Sequence, residues 1–363
     1  MSNICLFEVD AVDVDRFYVV PMNLTTDTVK LVLIDDPSEY RKYLSTGRLR
    51  DGLVICTAWF SIDRLATLLI ENDIEVLLTD SHRVVDLPII LAARDSRITI
   101  SYTQHGIYLP FMKRSAGFFL RKITKTFRYL YYAVIVAIHQ KNVRLALELI
   151  GIHVFGCDRT YLDKYPHLFA DQSVVFSDYW AKWHVDFYRF PNRNIFPVGA
   201  TDFRKFEFTD EYDERYISYC YQTLVEDGRI EKELMFDFYN DLNVWRLQHG
   251  LEVLVKWHPR GDNNCRDHLC SLGWAIVDDR IPNTQYVIGH YSSLLSFWGI
   301  HGRTVITLGL EGHDIIESFR DWTVTPKGVS EIDLSAATNL DKCRFYFGSL
   351  ASPEEINSHL KLT

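Results

Sequence analysis

Three short polar clusters stand where apolar runs stop in this 363-residue chain: Gln104-His105-Gly106 after RITISYT, Lys256-Trp257-His258-Pro259-Arg260 after LEVLV, and Gly289-His290-Tyr291-Ser292-Ser293 after QYVI. Their residue types define two kinds of chemistry. An imidazole titrates near neutrality, so His105 and His258 can take up a proton or donate a hydrogen bond to an anion. Paired hydroxyls directly before a helix can cap its N–H groups and bind a phosphate on its positive end, a role open to Ser292 and Ser293. Gly106 would let a substrate approach the backbone. Each cluster also has an ordinary reading: a satisfied core histidine at 105, a turn marked by His258-Pro259, and a plain capping serine at 292 or 293.

Such clusters need strands behind them. The strand-like runs NICLFEV, KLVLIDD, GLVICTAWF, EVLLTD and ITISY are interleaved with the helical patterns SIDRLATLLIEND and RVVDLPIILAARD. The rhythm restarts at HVFGCD, VVFSDYWAKWHVDFY and NIFPVGATDF, and again at RYISYCYQTL, LEVLVKWHPR, WAIVDD, QYVIGHYSS and RTVITLG. Runs apolar on both faces, separated by helices, predict parallel strands covered on both sides. The expected fold class is α/β with two doubly wound Rossmann-like domains facing a cleft, where ligands bind beyond the carboxyl ends of the strands. Hydrophobic periodicity is lost in VGATDFRKFEFTDEYDE, which sets the expected domains at 1–200 and 201–363.

A hydrophobic content of 47% and an aromatic content of 14% imply a compact core and exclude a disordered chain. The 7 cysteines lack paired spacing and no signal-peptide pattern precedes them, which predicts a reducing cytoplasm. Cys265 and Cys270 with His258 and His268 fit a structural zinc site poorly, so no metal is expected there. The longest apolar run, YLYYAVIVAI, is about half the ~20 residues that a membrane span needs. Charge, by contrast, is segregated. Between Asp95 and Glu148 there is no acid, while Arg97, Lys113, Arg114, Arg121, Lys122, Lys125, Arg128, Lys141 and Arg144 are basic, in a chain of net charge −9. The segment 112–145 mixes these with Phe, Leu and Tyr, as an interfacial helix or helix pair would on an anionic leaflet, with Arg121, Lys122, Lys125 and Arg128 facing the lipid. A solvated basic helix packed on the sheet is the competing reading. A nucleic-acid groove does not suit an acidic chain without a recognised module.

The order of a strand ending in His-Pro and a later strand ending in Ser-Ser resembles the nucleotide-binding domain of GT-B glycosyltransferases that use cytidine-activated donors: bacterial sialyltransferases and polysialyltransferases, and the CDP-glycerol transferases of teichoic acid synthesis. ISYCYQTLVEDGRIEKE is similar to the strand, turn and helix that open that domain in one sialyltransferase family, and the pattern extends over roughly residues 170–320. The resemblance implies that His258, Ser292 and Ser293 contact the donor phosphate, within loops that also carry Pro259, Arg260 and Gly289. In the first domain the sialyltransferases carry an acidic D/E-D/E-G motif and the glycerol phosphotransferases H-G-T-P; Q-H-G-I-Y departs from both and is nearer the second. His105, with Gln104 beside it, would then act as the catalytic base opposite His258. Glu226-Asp227-Gly228 spells the acidic motif but falls in the second domain, where it reads as an acidic turn at a helix start.

The expected function is therefore an inverting, metal-independent glycosyltransferase that moves sialic acid or Kdo from a CMP-sugar to a bacterial surface glycan. Two alternatives stand beside it: a CDP-glycerol or alditol phosphotransferase, and a catalytically silent GT-B scaffold. No cofactor is expected beyond the donor. The expected partners are a nucleotide-sugar, a glycan or lipid-linked acceptor and an anionic membrane surface, with the protein cytoplasmic and peripheral at the inner face.

Overall fold

The computed structural model describes residues 3–8, 29–45, 53–80, 83–104, 106–107, 123–155, 165, 168–188, 190, 192–200, 208, 212–278, 280–310, 315–349 and 353–359. They form two compact units.

The first unit is built on a parallel sheet of seven described strands in the order β3-β2-β1-β4-β5-β6-β7. These are β1 (Ile4–Glu8), β2 (Val29–Ile34), β3 (Leu53–Cys56), β4 (Val76–Thr79), β5 (Thr99–Thr103), β6 (Gln172–Val175) and β7 (Ile195–Pro197). The central strands are apolar on both faces because helices cover both sides, and β1 pairs Leu6 with Val32 on one side and with Leu78 on the other. The covering helices are α1 (Pro37–Ser45), α2 (Ile62–Glu71), α3 (Leu87–Asp95), α4 (Ile123–His139), α5 (Val143–Phe155) and α6 (Asp178–Tyr188). The Ser61 hydroxyl accepts from the Arg64 amide at 3.2 Å and so starts α2, which buries Ile62, Leu65 and Leu69. The basic interval thus contains a helical hairpin, α4–α5, turned at Lys141, whose φ of 51° lets the Asn142 amide reach the Ala137 carbonyl at 2.9 Å.

Two expectations change here. HVFGCD begins no strand: His153 to Phe155 are the last turn of α5. The second domain also does not keep the tail to residue 363. Helix α12 (Pro353–His359) returns to the first unit, where Ile356 is fully buried in the core with Leu6 and Val32 and the His359 ring stacks on Phe196 at 4.2 Å.

The second unit holds a parallel sheet of five described strands in the order β10-β9-β8-β11-β12. They are β8 (Tyr216–Cys220), β9 (Glu252–Lys256), β10 (Ala275–Val277), β11 (Tyr286–Gly289) and β12 (Thr304–Thr307), with helices α7 (Lys232–Gln248), α8 (Asn263–Ser271), α9 (Leu295–Ile300), α10 (Glu317–Arg320) and α11 (Leu340–Phe347). Its core is aromatic: Tyr219, Tyr239, Trp245 and Trp274 pack with Val255 and Ile288. Both sheets have the doubly wound order expected from the alternation of elements.

Candidate functional site

In the second unit the chain runs from β8 outward to β10 and then returns to β11 on the other side of β8, so the strand order reverses between β8 and β11. Crevices beyond the carboxyl ends at such a reversal are where open α/β sheets take ligands. The residues there are Tyr221, Gln222 and Thr223 after β8, Trp257 to Arg260 after β9, and His290 to Ser293 after β11.

The His-Pro loop is a tight turn closed by the Gly261 amide on the His258 carbonyl at 2.8 Å. Its ring is oriented by the backbone. The Arg260 amide donates to His258 Nδ1 at 3.1 Å, so Nδ1 is the acceptor and the proton of the neutral imidazole sits on Nε2, a donor suited to an anionic oxygen. Trp257 forms the floor, with its ring 4.1 Å from that of Tyr221, and a methyl group on Gly261 would come within 2.3 Å of the indole. Only glycine fits there. Pro259 and Arg260 are exposed, and Arg260 reaches Asp227 at 3.9 Å.

The acidic triplet supports this loop. Glu226-Asp227-Gly228 does not begin a helix; it lies in a turn after β8, and α7 starts later, at Lys232. Glu226 Oε1 accepts from the Tyr221 hydroxyl and from the Asp262 amide, both at 2.6 Å, which ties the far end of the His-Pro loop to the end of β8. Asp262 then caps α8 by accepting from the amides of Asn264 and Cys265.

The third cluster is held from the same strand. Gln222 Oε1 accepts from the Tyr291 amide at 3.0 Å, and the Ser292 hydroxyl accepts from the Leu294 amide at 3.3 Å. Ser292 also hydrogen-bonds to Cys220, whose burial pushes its thiol up to about 12 and leaves it inert. Ser292 and Ser293 remain half-buried, with hydroxyls at the reversal point. Gly106, which groups with this unit, has a φ of 62°, and a methyl group on it would lie 3.7 Å from Ser293 Oγ. At Gly289 a methyl group would meet Leu295 at 2.9 Å, so its small size serves the packing of α9 on β11.

His290 is structural. Fully buried, it donates from Nδ1 to the Leu308 carbonyl at 2.8 Å and accepts at Nε2 from the Tyr219 hydroxyl at 3.0 Å. Burial lowers its pKa from 6.5 to about 4. The unfolded chain therefore binds this proton more tightly, so the stability His290 contributes is complete above pH 6.5 and is lost as pH falls toward 4, a loss of about 3 kcal/mol. His290→Gln should flatten this part of the stability curve measured by urea unfolding; a slope unchanged between pH 6.5 and 4 would contradict the assignment.

In the first unit, His105, Arg121 and Lys122 lie outside the described residues. Gln104 is buried at the end of β5, where its side-chain oxygen accepts from the Phe176 amide at 3.0 Å. That contact joins the ends of β5 and β6. Lys125 is half-buried. Arg128 corrects the expectation of a lipid-facing residue: it is 3% exposed and turns inward to Asp35 at 3.1 Å and Asp36 at 2.8 Å. Tyr132, one turn on, donates to the Asp35 carboxylate and accepts from the Trp59 amide at 3.0 Å. Burial drives the Asp35 carboxyl up to about 6 against the opposing pull of Arg128 and Tyr132. For Asp36 burial also acts upward, but hydrogen bonds from Ser38 and Arg128 outweigh it and hold the group at about 2. Of the cysteines weighed for a zinc site, Cys265 is buried and Cys270 is exposed. Among the described residues no helix is long and apolar enough to cross a membrane.

No protein-family model matches the chain, and a search of curated proteins finds no match. Solved structures do. A putative UDP-N-acetylglucosamine 2-epimerase from Listeria monocytogenes aligns over 98% of this chain and 94% of its own, with a TM-score of 0.53 and 9% identity. S. aureus MnaA, solved with UDP, aligns over 100% and 96%, with a TM-score of 0.52 and 12% identity. The UDP-GlcNAc 2-epimerase of Methanocaldococcus jannaschii aligns over 99% of both chains, with a TM-score of 0.52 and 11% identity. At such identity the likeness is one of fold: two parallel-stranded α/β units of the GT-B type.

Proposed function

We propose that the protein is an inverting glycosyltransferase whose second unit binds a CMP-sugar, sialic acid or Kdo being the sugars the sequence favours, and transfers the sugar to a bacterial surface glycan. The observation that carries the reading is the position of His258, Ser292 and Ser293 in the loops that follow β9 and β11, on either side of β8 where the strand order reverses, with His258 Nδ1 accepting from the Arg260 amide so that the ring proton of the neutral imidazole sits on Nε2. As the acceptor oxygen bonds to the anomeric carbon, the carbon–oxygen bond to the phosphate breaks and its electron pair leaves with CMP. Donors fixed before the reaction stabilise that developing charge without reorganising. His105 takes the acceptor proton in this reading. A peripheral position at the inner face of a membrane would bring the enzyme to a lipid-linked acceptor.

Removing either set of donors should weaken nucleotide binding. His258→Ala, and Ser292→Ala combined with Ser293→Ala, should each lower CMP affinity by about 10- to 100-fold in calorimetric titration, the range for lost hydrogen bonds to a charged group. Unchanged affinity in both variants would remove the phosphate assignment. A second reading has support from the structural neighbours, two of which are named UDP-GlcNAc 2-epimerases while a third was solved with UDP: the same crevice would then hold a UDP-sugar. Preference for UDP over CMP and CDP selects it, and preference for CDP selects an alditol phosphotransferase.

A further inference from the structure

The outer face of the α4–α5 hairpin is apolar where a solvent-facing helix should be polar. Phe127 and Ile138 on α4 are 58% and 70% exposed, and Val143 and Leu147 on α5 are 79% and 67% exposed. Ile123 and Val134 recur at helical spacing with Phe127 and Ile138, so the four form one stripe. Among the described residues, 6 of the 14 large hydrophobic side chains that are exposed lie on this hairpin. The opposite face of α4 is fixed inward: Arg128 is bound to Asp35 and Asp36, and Tyr132 to Asp35. These polar anchors prevent the helix from rolling its apolar stripe into the core. An apolar stripe held outward in this way calls for a second apolar surface.

We infer that this face docks on an anionic lipid bilayer, with the stripe entering the boundary between headgroups and acyl chains. Charge selects the occupant. The interval from residue 96 to 147 has no acid, in a chain of net charge −9, and Lys141 and Arg144 are exposed at the hairpin turn. Glu148, which closes the interval, sits against Arg144 at 3.1 Å. Anionic headgroups complement these charges. Apolar side chains beside a cationic turn are an arrangement that binds an anionic interface in its plane. This surface stands apart from the nucleotide reading, since none of its residues belongs to the second unit.

Cosedimentation with vesicles of phosphatidylglycerol or of phosphatidylcholine tests the inference. The wild type should bind phosphatidylglycerol vesicles, weaken as salt is added, and bind phosphatidylcholine poorly. Phe127→Ser with Ile138→Ser and Leu147→Ser should lower affinity for the anionic vesicles by about tenfold or more. Nucleotide affinity, whatever its value, should be unchanged. A second variant, Lys141→Gln with Arg144→Gln, keeps the stripe and should lose most of the preference for anionic lipid, which decides the matter if the serine variant fails to fold. A wild type that ignores phosphatidylglycerol vesicles at low salt overturns the inference, as does undiminished binding by both variants. So does a concentration-dependent dimer that the serine variant abolishes without any lipid binding, which would give the face to a second copy.

Discussion

Arg128→Ala should destabilise the protein by about 3–5 kcal/mol, the cost of leaving buried carboxylates without their cation. The side chain is enclosed, its guanidinium contacts both Asp35 and Asp36, and it also donates to the Asp35 carbonyl at 3.1 Å. A cavity of the same size would cost stability at every pH. The loss of the ion pair has a different signature. With Arg128 gone, the Asp35 carboxyl, already raised to about 6, rises further, so the folded variant binds protons that the unfolded chain releases. A raised folded-state pKa means that stability is regained as pH falls. The deficit of Arg128→Ala should therefore be largest near neutrality and shrink toward pH 4 in urea unfolding. Arg128→Met should behave in the same way. A deficit independent of pH, or one below about 1 kcal/mol as for an exposed pair, would contradict the buried-anchor account.

His105→Ala should lower turnover by about 10²- to 10⁴-fold with little change in nucleotide affinity, because removing a general base slows proton transfer and spares binding. A base must be deprotonated to act, so the acidic limb of the wild-type kcat profile should disappear in the variant. Turnover near that of the wild type would make His105 structural and move the search for a base to other first-unit side chains. A loss of nucleotide affinity equal to the loss of rate would place it with the donor instead.

The elements that the sequence made legible are those with a local signal. β1 to β5 and β8 to β12 are apolar runs bounded by turns, and each lies where periodicity and composition put it. HVFGCD failed because a short apolar run reads alike as a strand or as the end of a buried helix, and only the length of the preceding pattern separates the two. The polar clusters were legible for the same reason as the strands, being the residues that follow them. What held them was not. Arg128 stands in a basic interval whose nearest acids in sequence are remote, and its partners lie 92 and 93 residues away, so nothing local distinguishes an anchor from a lipid-facing cation. Glu226 joins Asp262 across 36 residues, and its neighbours suggested only a charged turn. Nothing in the linear chain showed that Leu295 leaves no room for a side chain at Gly289. The return of α12 to the first core depends on Ile356 finding its place among β1 and β2 side chains, a contact without a pattern in the linear chain.

The central claim is that the second unit binds a nucleotide phosphate through His258 and the serine pair. Calorimetric titration of the wild-type protein with CMP, CDP and UDP in parallel, repeated with His258→Ala, tests it most directly. The account predicts saturable binding of CMP that is tighter than that of CDP or UDP and about 10- to 100-fold weaker in the variant. Absence of binding to all three nucleotides, or binding that His258→Ala leaves intact, would contradict it.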